Sequence, residues 1–128
     1  MKDAGSSLGT SAPDIQQRTF LFAVRVVKLC RRLEDSGVSR NLVWQLQKSA
    51  TSVGVNAEEV QAGQSRADFI SKNGICLKEA RETHYWLRLL QAAEASDDLE
   101  LPGLEQESLE LSRIFGAIIT STKRNSAP

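Results

Sequence analysis

The sequence predicts an all-α protein, an antiparallel up-down-up-down four-helix bundle. Three observations support this prediction: four segments repeat their apolar residues at helical spacing, short polar connections separate these segments, and strand-like alternation is nearly absent. A chain of 128 residues has the length of a single domain with one core. We divide it into a lead-in at residues 1–12, rich in Gly, Ser and Ala, a bundle at 13–124, and a short tail at 125–128.

The first two helices are defined by their end signals and by one apolar face each. Helix one is expected to begin at Pro13-Asp14 and to end at Asp35-Ser36-Gly37, where glycine suits a left-handed cap. Helix two is expected to run from the N-cap Ser39 to about Gly63. The predicted core positions of helix one are Phe22, Val26, Leu29 and Leu33, widened by Ala23, Val27 and Cys30; those of helix two are Leu42, Leu46, Val53, Ala57 and Val60.

The last two helices follow in the same way. Helix three is expected to start at Ser65, because Ser65–Asp68 matches a capping box, and to fade near Ala95. Helix four is expected after the connection that ends in Leu101-Pro102-Gly103. The predicted core positions are Phe69, Cys76, Ala80, Leu87 and Leu90 on helix three, and Leu104, Leu111, Phe115, Ile118 and Thr122 on helix four.

A second apolar face lies outside these core stripes. On helix two, Trp44 and Val55 fall nearly opposite the core positions. On helix three, apolar residues cluster about a third of a turn from the core, with two carboxylates among them; the set is Ile75, Glu79, Glu82, Trp86 and Leu89. Either the bundle covers these side chains within one subunit, or they form a homo-oligomer interface, where aromatic anchors are enriched. We predict the interface.

The residue inventory argues against catalysis. A metal site in a bundle needs paired Glu-x-x-His motifs, and the chain has one histidine, His84, with no glutamate three residues before it. Cys30 and Cys76 lie inside helical patterns without metal-site spacing, so we interpret them as reduced thiols of a cytoplasmic protein. There is no glycine-rich phosphate loop, no apolar run approaching ~20 residues and no apolar core of a secretion signal. We therefore expect no enzyme activity, cofactor, metal, small-molecule substrate or membrane partner.

Charge is unevenly distributed although the formal net charge is zero. Residues 13–90 hold 12 Lys/Arg against 8 Asp/Glu, whereas residues 91–128 hold 3 against 7. Two groups of cations share helix faces away from the predicted core: Arg25, Lys28 and Arg32 on helix one, and Lys78, Arg81 and Arg88 on helix three. A basic band with an interleaved aromatic, here Tyr85, is typical of phosphate-backbone binding. The alternatives are a solvated face, or a face that meets the acidic fourth helix of a neighbouring copy.

Three stretches resemble a known family: Gln45–Glu59, Ser65–Phe69 and Leu77–Leu87. They are similar to the core motifs of the four-helix-bundle proteins encoded in intervening sequences of bacterial large-subunit ribosomal RNA genes. The resemblance covers helices one to three by motif and helix four by pattern. It implies a cytoplasmic bacterial protein that assembles into a homopentameric ring. The motif residues that carry over, as structural or interface positions, are Ser49, Ser52, Asn56, Glu59, Glu79, Glu82 and Trp86.

The resemblance leaves two hypotheses for function. Related proteins include the accessory protein of diversity-generating retroelements, which binds nucleic acid and a reverse transcriptase through a basic surface. The first hypothesis is accordingly a ring that binds structured RNA, or an RNA–protein complex, through the six cations named above. This chain departs from the strongly basic type because its net charge is zero. The second hypothesis is a protein-only scaffold whose basic band is used in subunit contacts.

Overall fold

The computed structural model describes residues 14–60 and 65–125, which form four α-helices and no strand. Helix α1 spans Ile15–Asp35, α2 spans Arg40–Val60, α3 spans Arg66–Ala92 and α4 spans Leu101–Asn125. The all-α prediction of a four-helix bundle is confirmed. The lead-in at 1–12, Pro13, the predicted helix-two end at Gly63 and residues 126–128 lie outside the described residues.

The helix ends follow the predicted capping signals. The Asp14 side chain caps α1 by accepting a hydrogen bond from the backbone N–H of Gln16. At the other end, Gly37 has a φ of 86°, and the N–H of Val38 donates to the Leu33 carbonyl, as in a Schellman cap. The Ser65 hydroxyl accepts from the N–H of Asp68 and caps α3 as the capping-box pattern predicts.

One core joins the four helices. The largest fully buried side chains include Phe22, Leu46, Leu87 and Phe115, one from each helix and each predicted as core from the sequence. Burying side chains of this size contributes about 1.5–3 kcal/mol each, which is the main force that holds such a bundle together.

Predicted core positions that are half-buried rather than buried need correction: Leu42, Phe69, Ile118 and Thr122, with Ala23 and Val27 on the flank of the α1 stripe. Leu42 is only half-buried, and its neighbour Val43 takes the core position on α2. Helix α4 begins at Leu101, earlier than expected: Pro102 fits the first turn, where no N–H partner is needed, and Leu101 is buried. Ile118, near the open end of α4, is half-buried against the core.

Contacts at both ends of α1 show in which direction α2 runs relative to it. The Cys30 thiol approaches the Val43 carbonyl oxygen at 3.8 Å, late in α1 and early in α2. Gly54, late in α2, lies against the backbone of Thr19, early in α1; a Cβ on Gly54 would be 3.5 Å from the Thr19 carbonyl oxygen. These two contacts make α1 and α2 antiparallel. Helix α3 packs on both α2 and α4, whereas α1 packs mainly on α2.

Candidate assembly surface

The small polar residues on the α2 motif are structural. Ser49 is fully buried, and the Thr83 hydroxyl of α3 donates to its Oγ at 2.9 Å. Asn56 Nδ2 donates to the carbonyl of Ser52 at 2.8 Å and reaches its hydroxyl at 3.0 Å. The first bond joins α2 to α3, and the others lie within α2. Ser49, Ser52 and Asn56 are therefore motif residues that stabilise the bundle itself. Glu59, the last motif residue of α2, is exposed.

An ion-paired seam joins α1 to α4. Arg18 Nε lies 2.7 Å from a carboxylate oxygen of Glu107, and its Nη2 lies 2.8 Å from one of Glu110. The hydrogen bond that Arg18 donates to Glu107 raises the pKa of Arg18 above its ordinary value. Further along the seam, Arg25 pairs with Glu100 at 3.1 Å. The order of these contacts makes α1 antiparallel to α4.

The last pair of the seam is Arg32 with Asp98, at 2.7 Å. The hydrogen bond from Arg32 holds the pKa of Asp98 below its ordinary value. Two of the three α1 cations that the sequence assigns to nucleic-acid binding, Arg25 and Arg32, therefore meet acidic residues just before α4 within their own chain. Lys28 is exposed between them and has no ion pair with any residue in 14–60 or 65–125.

The α3 cations are placed differently. Lys78, Arg81 and Arg88 are all exposed on the outer side of α3, together with Tyr85. Within the described part of the chain, neither Arg81 nor Arg88 has an ion-pair partner. The predicted basic band thus consists of two different groups of cations. On α1, two of the three cations have carboxylate partners, whereas on α3 all three are exposed to solvent.

The predicted interface residues divide between exposed and half-buried positions. Trp44, Val55 and Ile75 are 56%, 63% and 42% exposed. The ammonium of Lys48 lies 5.0 Å from the centre of the Trp44 ring, which is a cation–π distance. Glu79, Glu82 and Leu89 are half-buried. Burial, and then the charge of Glu82, raise the pKa of Glu79 above its ordinary value.

Trp86 lies closer to the core than its helical position suggested. Its ring is half-buried and packs against the core, and Tyr85 meets it edge-on with ring centres 5.2 Å apart. Its indole Nε1 is buried, and no acceptor for it occurs among the described residues. The bundle therefore covers most of Trp86 by itself but leaves its N–H unsatisfied.

An apolar groove lies between the outer faces of α1 and α2, with a volume of about 580 Å³. Phe20, Val24 and Val27 line it from α1, and Val55 lines it from α2. Its two ends carry opposite charges, Lys28 and Arg31 at one and Glu58 and Glu59 at the other. Sequence reasoning identified Val55 but missed Phe20 and Val24. The sequence signal for this groove is the nearly unbroken apolar run at 20–27, because one core stripe on a helix does not need consecutive apolar residues.

The two thiols are buried, and the histidine lies beside a carboxylate. Burial raises the pKa of the Cys30 thiol to about 12 and that of Cys76 to about 11, so both are protonated and unreactive near neutral pH. His84 Nε2 lies 3.5 Å from a Glu105 oxygen, at the edge between α3 and α4. Among residues 14–60 and 65–125, no group of His, Cys, Asp and Glu could hold a metal ion. None of the described helices is long and apolar enough to cross a membrane.

These features define a class of protein: a small helical bundle with a closed core, an ion-paired seam and one large exposed apolar groove. The chain belongs to the 23S rRNA-intervening sequence protein family, which matches residues 12–117. The resemblance predicted from the sequence motifs is therefore confirmed.

A solved structure shows the same fold. It is that of a protein with unknown function from the S23 ribosomal protein family of Bacteroides thetaiotaomicron, 37% identical in sequence, with a TM-score of 0.78. The similarity covers 83% of this chain and 98% of that one. No curated protein matches the sequence.

Proposed function

We propose that this chain is a non-enzymatic assembly protein that associates with copies of itself. The observation that carries the proposal is the exposure of large apolar side chains on two adjoining helices: Phe20 on α1 is 57% exposed, and Trp44 and Val55 on α2 are exposed to a similar extent. Phe20 and Val55 line one groove rimmed by charges, and an exposed apolar surface of this kind is typical of protein interfaces. The family resemblance implies a ring of five copies, and the two buried thiols are consistent with a cytoplasmic location.

Sedimentation velocity over a wide range of protein concentration tests self-association. We expect a species heavier than the 14.1 kDa chain, whose share rises with concentration. Trp44→Gln should shift the distribution toward the single chain, because it removes an exposed aromatic anchor without touching the core. Leu99→Gln is the matched control: Leu99 is 94% exposed, but it lies in the loop before α4 and does not line the groove. A wild-type chain that sediments as a single copy at every concentration would refute the proposal.

RNA binding is a second candidate, and the open cations of α3 are the observation that favours it. Arg81 and Arg88 are exposed without ion pairs in the described part of the chain, and the aromatic Tyr85 lies between them. Such a surface can contact phosphates and stack a base. The α1 group supports RNA binding less strongly, because Arg25 and Arg32 already have carboxylate partners.

A mobility-shift assay with ribosomal RNA fragments at low salt tests this second candidate. The expectation is salt-sensitive retention that falls at least tenfold in the Arg81→Glu/Arg88→Glu variant. Arg113→Glu/Arg124→Glu, which reverses two exposed charges on α4, changes the net charge by the same amount and serves as the control. If the wild type fails to retain RNA at protein concentrations where non-specific binding normally appears, the protein-only alternative is favoured.

A further inference from the structure

The α1/α2 groove has the size and the lining of a small-molecule site. Its volume of about 580 Å³ lies within the range of roughly 300–1,000 Å³ that is usual for ligand pockets. Most of the lining surface is apolar. The residues at its floor are half-buried, namely Ala23, Val27, Thr51 and Gly54, and the exposed side chains of Phe20 and Val55 stand beside them as walls. A ligand that fits the groove must therefore itself be largely apolar.

The apolar lining is an elongated strip that begins at a cation. Phe20, Val24, Val27 and Arg31 follow one another at spacings of four, three and four residues, so they share one face of α1. Arg31 lies eleven residues from Phe20, about 16 Å along the helix axis. The strip therefore has room for a linear apolar chain that lies along α1.

The charged residues of the groove are distributed unevenly along it. Lys28 and Arg31 line one end, and neither has an ion pair within the part of the chain that the structure describes. Glu58 and Glu59 lie near the C-terminal end of α2, which packs beside the start of α1. An anionic group is therefore attracted to the end with the two cations and repelled from the other end.

We propose that the α1/α2 groove binds a free long-chain carboxylate, one molecule per chain. The carboxylate lies at Lys28 and Arg31, and the acyl chain extends along Val27 and Val24 toward Phe20. The acyl chain removes apolar lining from water, and the head group gives the two cations a partner. The ligand is held without chemical change. This binding goes beyond the proposed self-association, which needs no ligand.

Charge complementarity is the argument for this occupant. A neutral apolar molecule would leave Lys28 and Arg31 without a partner, and an inorganic anion would leave the walls at Phe20 and Val55 in water. A molecule that joins a compact anion to a long apolar chain matches both parts of the groove. An arginine can donate two parallel hydrogen bonds to a carboxylate, and a neighbouring lysine adds a point charge.

Isothermal titration calorimetry with laurate, below the concentration at which it forms micelles, tests the site. We expect saturable binding of one laurate per chain. Dodecyltrimethylammonium carries an apolar chain of the same length on a cationic head group, and it should bind about tenfold more weakly, because the two cations repel it. Equal affinity for the two molecules would overturn the proposal, since it would mean that the head-group charge is not recognised.

A pair of double variants locates the head group. Lys28→Gln/Arg31→Gln removes both cations and should weaken laurate binding about fivefold. Arg81→Gln/Arg88→Gln is the matched control: it removes two exposed cations from α3, changes the net charge equally and should keep the wild-type affinity. Equal weakening in both variants would show that laurate senses only the net charge, and the assignment to this groove would be wrong.

A second pair of variants locates the acyl chain. Phe20→Asp/Val55→Asp places two carboxylates on the groove walls and should abolish laurate binding, whereas Leu99→Asp, exposed in the loop before α4, should not change it. The substituted positions are exposed, so the fold should survive, and circular dichroism verifies this. The comparison of the two head groups uses the wild type alone, so it remains a test if a variant does not fold.

Two further outcomes would contradict the inference. A protein that binds phosphatidylglycerol vesicles but not monomeric laurate has a membrane-binding surface at this position and not a site for a free carboxylate. A wild type that self-associates and takes up no laurate overturns the inference and leaves the proposed self-association standing.

Discussion

The ion-paired seam between α1 and α4 gives the sharpest stability prediction, for Arg18→Met. Methionine keeps the aliphatic stem of Arg18 and removes the guanidinium. The fork between Arg18 and Glu107 has N···O distances of 2.7 and 2.8 Å, and the two side chains are 25% and 19% exposed. The contact to Glu110 adds little, because that side chain is 44% exposed. Charge-assisted bonds at a partly buried fork contribute about 2 kcal/mol.

Chemical denaturation should therefore show Arg18→Met to be less stable by about 2 kcal/mol, with a fall in Tm on the order of 5–10 °C. Arg31→Met is the matched control: Arg31 is exposed on the same helix and has no ion pair with the described residues, so its loss should cost less than about 0.5 kcal/mol. A double-mutant cycle with Glu107→Gln isolates the pair. Equal losses of unfolding free energy in Arg18→Met and Arg31→Met, or a coupling energy near zero between Arg18 and Glu107, would refute the claim that ion pairs hold α1 to α4.

Three further predictions concern the interior and the seam. Arg32 lowers the folded-state pKa of Asp98, so the Arg32–Asp98 pair stabilises the fold above the unfolded-state pKa of Asp98 and stops doing so as pH falls. The denaturant concentration at the unfolding midpoint should therefore decrease below about pH 4, and this decrease should be smaller in Asp98→Asn. Thr83→Val removes the buried bond to Ser49 and should cost about 1–2 kcal/mol by urea unfolding, whereas Thr83→Ser, which keeps the donor, should cost less. Both cysteines should resist a thiol reagent in the native protein and react fully in denaturant; rapid native labelling would contradict their burial.

Helix positions could be predicted from the sequence because the signals are local. The cap at Asp14, the left-handed Gly37 and the Ser65 capping box each depend on a few neighbouring residues. Core faces followed from periodicity, with a one-residue error at Leu42, where the adjacent Val43 is also apolar, and with half-buried residues at Phe69, Ile118 and Thr122.

The partners of surface residues could not be predicted in the same way. Periodicity shows which residues share a face, but not which helix lies opposite, so the sequence could not reveal that Arg25 and Arg32 meet acidic residues just before α4 in their own chain. For the same reason the sequence placed Trp86 outside the core stripe of α3, although the packing of α3 between α2 and α4 half-buries its ring. The apolar groove was missed because Ala23 and Val27, which line it, were interpreted as a widening of the α1 core stripe, while Phe20 and Val24 were assigned to no face.

Native mass spectrometry of the wild-type protein tests the proposed self-association most directly, because it counts the copies in each particle. The account predicts a particle of several 14.1 kDa chains, five if the family resemblance holds for assembly. Particles of one chain alone, from solutions concentrated enough for a specific interface to form, would contradict it.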